Sequence, residues 1–294
     1  MRIAVLGASG VVGRALTSEL ADEHEVVAVA RSPLDESETG ARWIAADVTR
    51  SRELEGVLDE IDVVYHLVHS LGANDFARRD RIAAEAVAGA AERAGVRQIV
   101  FLGGLGNARE HLSRHLRSRA ETAELLASRS VPVTTLRSAI VVGQGSAAFE
   151  TLVSLVDRLP AMVCPRWVST KTQPIALRDV VRYLVGVAGR PEALGRTFDV
   201  AGPEVMTCRD MIRRIADLRG RRPVIVEVPF LTPRLSSLWL RLVTPVQASV
   251  ARELVDGLRT ETVAREHGIV ELVPIEPTPF DEAARAALPG RDAS

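Results

Sequence analysis

The chain opens on Ile3-Ala4-Val5-Leu6, then Gly7-Ala8-Ser9-Gly10-Val11-Val12-Gly13, and then Val26-Val27-Ala28-Val29-Ala30-Arg31. Two apolar runs around a glycine-rich turn predict the strand, helix and strand of a nucleotide-binding βαβ unit rather than an ordinary turn. The glycines allow a tight turn and close approach of the backbone to a pyrophosphate. The helix that begins near Val11 directs its N-terminal amides at the phosphates. The opening therefore predicts a dinucleotide site.

The residue after the second apolar run indicates the choice of cofactor. Arg31 stands where an NAD-selective site carries an acidic residue for the ribose hydroxyls. A guanidinium binds a 2′-phosphate through two hydrogen bonds, and Ser32 adds a hydroxyl, so we expect NADP(H), with NAD(H) as the alternative. A solvated arginine at a loop start is the other interpretation. Asp47 follows a predicted third strand over Ala41–Ala46 and is expected at the adenine edge, unless it caps a helix that begins near Ser51.

Composition fits an enzyme-sized α/β protein. The chain has 294 residues with 37 basic and 38 acidic side chains, so its charge predicts no nucleic-acid partner. Cys164 and Cys208 lie far apart without metal-ligand spacing, which argues against a disulfide framework and a zinc site. The glycine turn and Glu19 interrupt the apolar start, so we expect no signal peptide and no integral membrane segment. These features predict a cytoplasmic protein whose partner is a small apolar organic substrate.

Strand and helix patterns alternate through the first half of the chain. Such alternation with short connections is typical of α/β proteins with a doubly wound parallel sheet, the Rossmann architecture. We therefore expect an NAD(P)-binding Rossmann domain over 1–145. After the third strand, the pattern predicts strands over Val63–Leu67, Gln98–Leu102 and Val133–Leu136, and helices over Asp75–Ala94 and Ser113–Ser128.

The rhythm changes after Gly145, so we expect 146–294 to form mainly a smaller C-terminal substrate cap. A strand near 196–201 is expected to return to the main sheet. The pattern also predicts helices over Phe149–Leu159 and Leu177–Val187, and a short strand near Gln173–Ile175.

Two helix starts in the second half have capping residues. Thr207 and Asp210 have the spacing of an N-cap with an acid three residues on, and the helix is expected to run to Arg219. Thr278 with Pro279 at the first helical position predicts the same device for the last helix. The apolar residues of this half, Trp167, Trp239 and the stretch 235–243, either line a substrate cavity or form the cap core.

Five stretches of the chain share a resemblance: Gly7–Gly10, Tyr65–Ser70, His115–Arg119, Leu136–Gly143 and Pro165–Val168. Together they resemble the atypical short-chain dehydrogenase/reductases, and the likeness runs over nearly the whole chain. The glycine spacing G-x-x-G-x-x-G is typical of that superfamily. The nearest likeness is to bacterial NAD(P)-binding proteins of the NmrA-like and extended, epimerase-like kind. The resemblance implies a Rossmann fold and a nicotinamide cofactor.

The resemblance also implies catalytic residues, from which this chain departs. The parent superfamily uses a Tyr-x-x-x-Lys pair on the helix after the fifth strand, with a serine near that strand's end. The corresponding positions here are His115, Arg119 and Gly103-Gly104. In the parent mechanism the lysine lowers the tyrosine pKa and holds the nicotinamide ribose, while serine and tyrosine polarise the carbonyl. Two of these functions are altered here, and the serine hydroxyl is missing.

The chemistry of His115 and Arg119 leaves several roles open. The two residues are four apart, so they share a helix face and can address one ligand. Imidazole titrates near neutrality and can donate a proton to a developing alkoxide, whereas a nearby arginine disfavours its charged form. Arg119 cannot act as a base but can hold a ribose hydroxyl or an anionic group. The alternatives for His115 are a cofactor or substrate contact and an ordinary polar helix face; Arg117 is expected to be solvated.

Loops at the ends of several strands are expected to form one cofactor surface. His69 with Ser70 is expected to contact the cofactor, and Ser138 with Ala139 to border the nicotinamide. His66 and His69 lack a Cys, Asp or Glu partner in a matching motif, so we predict no metal site. The predicted catalytic residues are His115 and Arg119, and the predicted cofactor-binding residues are Gly7, Ser9, Gly10, Val11, Val12, Gly13, Arg31, Ser32, Asp47, Val48, Leu67, Val68, His69, Gly103, Arg119, Ala139 and Ile140.

Two functions fit these observations. The first is an oxidoreductase that passes hydride from NADPH to an apolar carbonyl, enone or quinone. The second is an NADP(H)-binding protein without turnover that senses redox state or stabilises an assembly. The substituted catalytic set favours the second function. His115, Arg119 and a cap large enough to enclose a ligand favour the first.

Overall fold

The computed structural model describes residues 1–35, 39–70, 73, 75–106, 112–228, 257 and 259–288. The strands in chain order are β1 (Arg2–Leu6), β2 (Glu25–Ala30), β3 (Arg42–Ala45), β4 (Val63–His66), β5 (Gln98–Gly104), β6 (Val133–Ser138), β7 (Val141–Val142), β8 (Ala161–Pro165), β9 (Lys171–Thr172), β10 (Ile175–Ala176), β11 (Thr197–Val200), β12 (Met206–Thr207) and β13 (Val224–Val228). The helices are α1 (Val11–Ala21), α2 (Ser51–Leu54), α3 (Phe76–Ala94), α4 (Arg114–Leu126), α5 (Ala147–Arg158), α6 (Leu177–Val187), α7 (Cys208–Leu218), α8 (Ile269–Leu272) and α9 (Phe280–Ala287).

Seven parallel strands form the central sheet, in the order β11-β6-β5-β4-β1-β2-β3. The chain moves outward from β1 to β3, then crosses back to β4 on the other side of β1. This reversal of direction is the switch point at which open α/β sheets bind dinucleotides. The predicted α/β fold with a doubly wound parallel sheet is confirmed.

The strands are apolar on both faces because helices cover the sheet on both sides. In β1, Ile3 and Val5 pack with residues of α1 and α6, whereas Ala4 and Leu6 pack with residues of α3. Alternate side chains of a strand point to opposite faces, so one apolar run serves two cores. A continuous run such as Ile3–Leu6 is therefore the pattern of an internal strand.

Parts of the second half belong to the central sheet and its covering layer. The strand β11 pairs with β6 and forms one edge of the sheet. Helix α6 packs against α1 in the same layer. A third core joins α5, α7 and α9 with the short pair β7 and β10. The short strand expected near Gln173–Ile175 is β10, shifted to Ile175–Ala176.

The cap of α7 is the one expected from the sequence. Thr207 Oγ1 accepts a hydrogen bond from the Asp210 amide at 3.1 Å, and Asp210 Oδ2 accepts one from the Thr207 amide at 2.9 Å. The expectation for the last helix is wrong, because Pro279 is its N-cap and Thr278 makes other bonds. The Thr278 amide donates to buried Asp179, and its hydroxyl accepts from Arg178 Nε.

Thr207→Ala is expected to lower the free energy of unfolding by about 1 kcal/mol. The Asp210 amide loses the hydroxyl that accepts its hydrogen bond, and the Asp210 carboxylate loses the hydroxyl that helps to hold it at the Thr207 amide. Thr207→Ser retains the hydroxyl and serves as the control. Chemical denaturation of both variants measures the difference. Equal stability of the Ala and Ser variants would contradict the role of this cap.

Candidate functional site

A cleft of about 880 Å³ lies at the C-terminal ends of the strands, over the switch point between β1 and β4. The cleft brings together residues from the glycine turn, the ends of β2 to β6 and the start of α4 and α5. Ser32 is not among its lining residues; this serine lies exposed beyond the end of β2. The cleft is lined by all the other residues expected at the cofactor or catalytic site, from Gly7, Ser9, Gly10, Val11, Val12, Gly13, Arg31, Asp47 and Val48 to Leu67, Val68, His69, Gly103, His115, Arg119, Ala139 and Ile140.

Gly7, Gly10 and Gly13 are each glycine for a different structural reason. Gly7 has φ +87°, which side chains rarely adopt, and an added Cβ would lie 3.0 Å from the Leu67 carbonyl carbon. A Cβ on Gly13 would lie 2.3 Å from the Gly7 oxygen, so α1 packs against the turn only with glycine there. Gly10 has φ −74° at the exposed N-cap of α1, and its Cβ would approach the Gly7 oxygen to 3.3 Å. Gly7 and Gly13 are required by the fold, and Gly10 leaves the helix N-terminus open to a ligand.

Arg31 and Asp47 border the cleft at the ends of neighbouring strands. The exposed Arg31 makes no hydrogen bond within the described chain. Asp47 accepts hydrogen bonds from the amide and hydroxyl of Thr49 at 3.0 and 2.7 Å. Burial opposes ionisation of Asp47, but these bonds and the charge of Arg31 lower its pKa. Asp47 does not cap the helix that begins at Ser51, because Arg50 is the N-cap.

A chain of hydrogen bonds links three side chains at the middle of the cleft. Asp80 Oδ2 lies 2.9 Å from His69 Nδ1, and His69 Nε2 lies 3.2 Å from His115 Nδ1. The second Asp80 oxygen accepts a hydrogen bond from the Ser70 amide at 2.9 Å. The two imidazole rings are 4.8 Å apart between centroids. His115 therefore connects a buried carboxylate to the cleft through His69.

The positions of the three residues follow from the elements that carry them. His69 lies just after β4, on the loop that leaves the sheet at the switch point. Asp80 lies on the buried face of α3, one turn after Phe76, whose ring contacts His69 edge-on at 6.4 Å. His115 is in the first turn of α4, where Ser113 caps the helix by accepting from the Leu116 amide. Three elements thus converge on one line of polar atoms.

Burial favours the neutral form of both histidines in this hydrogen-bond chain. It lowers the pKa of His115 to about 3, and the neighbouring His69 and Arg119 add to that effect. Burial also lowers the pKa of His69, although the hydrogen bond to Asp80 opposes the change. For Asp80, burial favours the neutral acid, but the bond from His69 and the Arg119 charge outweigh it and lower its pKa. The expected titration of His115 near neutrality therefore does not hold.

Arg119 is a buried clamp between two strand ends. Its Nη1 donates to the Val68 carbonyl at 3.2 Å, and its Nη2 donates to the Leu102 carbonyl. The guanidinium lies over the Phe101 ring at 4.5 Å, and burial lowers its pKa to about 10. Both amino groups are thus engaged by the backbone, although Arg119 also lines the cleft. Arg117 on the same helix is exposed, as expected.

Asp80 is the residue of this site that the sequence interpretation missed. Its signal was an aspartate among the buried positions of α3, between Phe76 and Ala83, where a carboxylate needs a partner. His66, by contrast, lies outside the cleft lining. Its buried ring stacks on Phe101, its nitrogens have no partner among the described side chains, and burial lowers its pKa to about 3.

Two further sequence expectations concern metals and aromatic residues. Among the residues that the structure describes, no three His, Cys, Asp or Glu side chains are placed to hold a metal ion. Trp239 and 235–243 lie outside the described residues, as does the side chain of Trp167.

No helix in the described ranges is long and apolar enough to cross a membrane.

Part of the cleft lining is apolar. The apolar side chains come from the loop after β5, from α4, from the segment after β6 that leads into β7, and from α5. They belong to Leu105, Leu116, Ile140, Val141, Ala148 and Leu152. These side chains form an apolar wall in the same cleft as His115.

Comparison with known proteins agrees with this geometry. A family model described as NAD(P)H-binding matches residues 7–152. An uncharacterised protein of Mycobacterium tuberculosis is 32% identical over 232 residues, 79% of this chain and 25% of that protein. The chain therefore spans about a quarter of that relative's length. The (4-alkanoyl-5-oxo-2,5-dihydrofuran-3-yl)methyl phosphate reductase of Streptomyces griseus is 27% identical over 225 residues, 74% of each chain.

A solved structure shows the same fold over the whole length. The triphenylmethane reductase of Citrobacter sp., crystallised with NADP(H), has a TM-score of 0.77 and 17% identity, and the match covers 98% of this chain and 100% of that one. These comparisons show an NAD(P)H-binding domain over residues 7–152 and the Rossmann fold. Arg119, at the position that the resemblance assigns to the parent lysine, donates from both amino groups to the carbonyls of Val68 and Leu102. His115 occupies the position of the parent tyrosine and is the last side chain in the hydrogen-bonded series that begins at Asp80.

Proposed function

We propose that this protein is an NADPH-dependent oxidoreductase that reduces an apolar carbonyl, enone or quinone. The observation that carries the proposal is a single cleft in which the glycine turn, the His69–His115 pair and an apolar wall adjoin. Two relatives are named as reductases, one of triphenylmethanes and one of a dihydrofuranyl methyl phosphate. These names support reduction of a small organic molecule in this cleft.

The cofactor fits the residues present at the glycine end. The space that a side chain at Gly10 would fill lies at the N-terminus of α1, where amides and the helix dipole favour a pyrophosphate. Asp47 lies at the end of β3, and the loop at Leu67–Val68 passes beside Gly7. When bound, NADPH supplies hydride. Gly7, Gly10 and Gly13 would receive its pyrophosphate, and Arg31 its 2′-phosphate.

The apolar wall and His115 act on the substrate. Apolar side chains such as Leu105 and Leu152 would bind the substrate and exclude water from the reacting carbon. For a carbonyl, hydride adds to carbon and a proton to oxygen. The proton would pass through His115 Nε2, the ring nitrogen that does not bind His69.

Arg31→Ala is expected to remove most of the preference for NADPH over NADH, a change of roughly ten- to hundredfold, because a charge-assisted bidentate contact contributes about 1.5–3 kcal/mol. Titration calorimetry with both cofactors measures it. Arg50→Ala serves as the control, since this exposed arginine pairs with Glu53 and does not line the cleft. Equal affinity of the parent protein for the two cofactors would rule out the 2′-phosphate clamp.

A second function, NADP(H) binding without turnover, is favoured by one observation. Both amino groups of Arg119 bind backbone carbonyls, so the residue in the lysine position acts first as a brace. Such a protein would report redox state or stabilise an assembly through occupancy of its cofactor site.

One experiment separates the two functions. The purified full chain is first scanned for bound nicotinamide, and then NADPH consumption is followed against a panel of aliphatic and aromatic carbonyls, enones and quinones. Oxidation of NADPH that depends on one acceptor and is lost in His115→Phe supports the oxidoreductase. Tight NADPH binding with no consumption across the panel supports the second function.

A further inference from the structure

The direction of the hydrogen-bond chain through Asp80, His69 and His115 follows from the ionised state of Asp80. An ionised carboxylate has no proton to donate, so Asp80 accepts from His69 Nδ1–H. A neutral imidazole has one N–H, and His69 Nε2 is therefore an acceptor. The proton between the rings then belongs to His115 Nδ1, at 3.2 Å. It follows that Nε2 of His115 has a free lone pair.

The surroundings reinforce this direction. The Ser70 amide donates to Asp80 Oδ1, so both carboxylate oxygens accept from fixed donors, and neither has to share a proton. The nearby groups that bear charge, Asp80 on α3 and Arg119 on α4, act in opposite senses on the two imidazoles. Nε2 of His115 finds no hydrogen-bond partner in the described parts of the chain, and His115 lines the cleft.

We propose that Asp80 is a positioning residue that fixes His69 and His115 in their Nδ1–H tautomers, so that His115 Nε2 accepts the hydroxyl proton of an alcohol. This names the alcohol, the reduced form of a carbonyl substrate, as a species that the cleft recognises, through a hydrogen bond that an O–H donates and a carbonyl oxygen cannot. The kinetic part of the inference rests on the proposed oxidoreductase function. The tautomer part does not depend on it.

The step balances for an alcohol with NADP⁺ as the oxidant. The O–H bond breaks and its proton forms a bond to His115 Nε2. The C–H bond breaks and its electron pair leaves as hydride to NADP⁺, while the carbonyl forms. Asp80 offsets the positive charge on the histidine pair. The reverse step, reduction, starts from His115 protonated at Nε2 by a proton taken up from solvent, and Nε2 then donates that proton to the oxygen.

Asp80→Asn provides the sharpest test, because this isosteric change exchanges donor and acceptor in each hydrogen bond from residue 80 to His115. The Ser70 amide still needs an acceptor, so the Asn oxygen takes the Oδ1 position and its NH₂ faces His69 Nδ1. His69 then carries its proton on Nε2 and donates to His115 Nδ1. His115 in turn presents Nε2–H to the cleft, where the parent presents a lone pair.

Long-range ¹H–¹⁵N spectra of the labelled full chain at pH 7 read the tautomers without any substrate. His69→Gln and His115→Gln variants assign the signals. We expect Nδ1–H for both histidines in the parent protein and Nε2–H for both in Asp80→Asn. Glu85→Gln also converts a carboxylate to an amide, at an exposed position of α3, and should leave the parent tautomers unchanged. Nε2–H at His115 in the parent overturns the proposal, even if the Asn variant fails to fold, and so does an unchanged pattern in a folded variant.

The kinetic readout follows once an acceptor is known. Asp80→Asn should slow alcohol oxidation roughly 10²-fold while the KM for NADP⁺ stays within about twofold. An unaltered rate would remove Asp80 from the reaction. If no acceptor is found but the tautomers reverse, the proposed function fails and the assigned direction of the chain stands.

Discussion

Gly10→Val is expected to abolish dinucleotide binding and to leave the protein folded. Gly10 is exposed at the N-cap of α1 with φ −74°, a conformation that valine tolerates. Its branched side chain would occupy the space in front of the helix amides that a pyrophosphate requires. We expect the calorimetric signal for NADPH to disappear, with an affinity loss of roughly 10²-fold or more, since the phosphate contacts are charge-assisted.

The neighbouring glycine provides the contrast for this variant. A Cβ on Gly13 would lie 2.3 Å from the Gly7 oxygen and 2.9 Å from the Ala8 Cα, so Gly13→Val should lose the native circular dichroism spectrum. Gly10→Val should keep it. A folded Gly10→Val protein that binds NADPH with the parent affinity would show that the phosphate lies elsewhere.

His115→Phe is expected to lower the rate on a verified substrate roughly 10²–10⁴-fold with little change in NADPH affinity. The loss follows because the ring nitrogen that exchanges a proton with the cleft is removed, whereas the glycine turn is untouched. Steady-state kinetics with calorimetry separates the two quantities. His267→Phe, the same change at an exposed histidine outside the cleft, should behave like the parent.

The pH dependence of this variant follows from the lowered pKa of His115. Burial holds that pKa at about 3, so the neutral imidazole prevails at pH 5 to 8 and is lost only as the pH falls toward 3. The ratio of parent to variant rates in the oxidative direction should therefore be constant between pH 6 and 8. A ratio that changes around pH 6.5 would mean that His115 titrates as an ordinary exposed histidine.

The histidine pair shows where the sequence interpretation stopped. Spacing placed His115 and Arg119 on one helix face, and both line the cleft. It could not reveal that Arg119 donates to the Val68 and Leu102 carbonyls, because those carbonyls belong to the loop after β4 and to β5, which are distant from Arg119 in sequence. It also gave His115 a pKa near neutrality, since desolvation depends on the packing of α3, α4 and the sheet around the ring.

Local signals were strongest where one segment contains the whole pattern. The buried run Ile3–Leu6, the glycine turn and the Thr207 cap are each complete within a few residues, so their geometry follows from backbone sterics and short-range hydrogen bonds. The last helix was misjudged because Thr278 has competing long-range partners in Arg178 and Asp179. A capping pattern predicts a cap only when no tertiary bond takes the hydroxyl.

By itself, the sequence determined the doubly wound sheet, the glycine turn after its first strand and part of the cleft lining, because apolar periodicity and glycine sterics are properties of contiguous residues. Only the tertiary structure decided that Asp80 joins His69 and His115, and that both histidines stay neutral. Residues 69, 80 and 115 come from three elements, and nothing in their spacing fixes their distance. Packing against the sheet sets that distance, removes water from the rings and so determines the direction in which the proton chain runs.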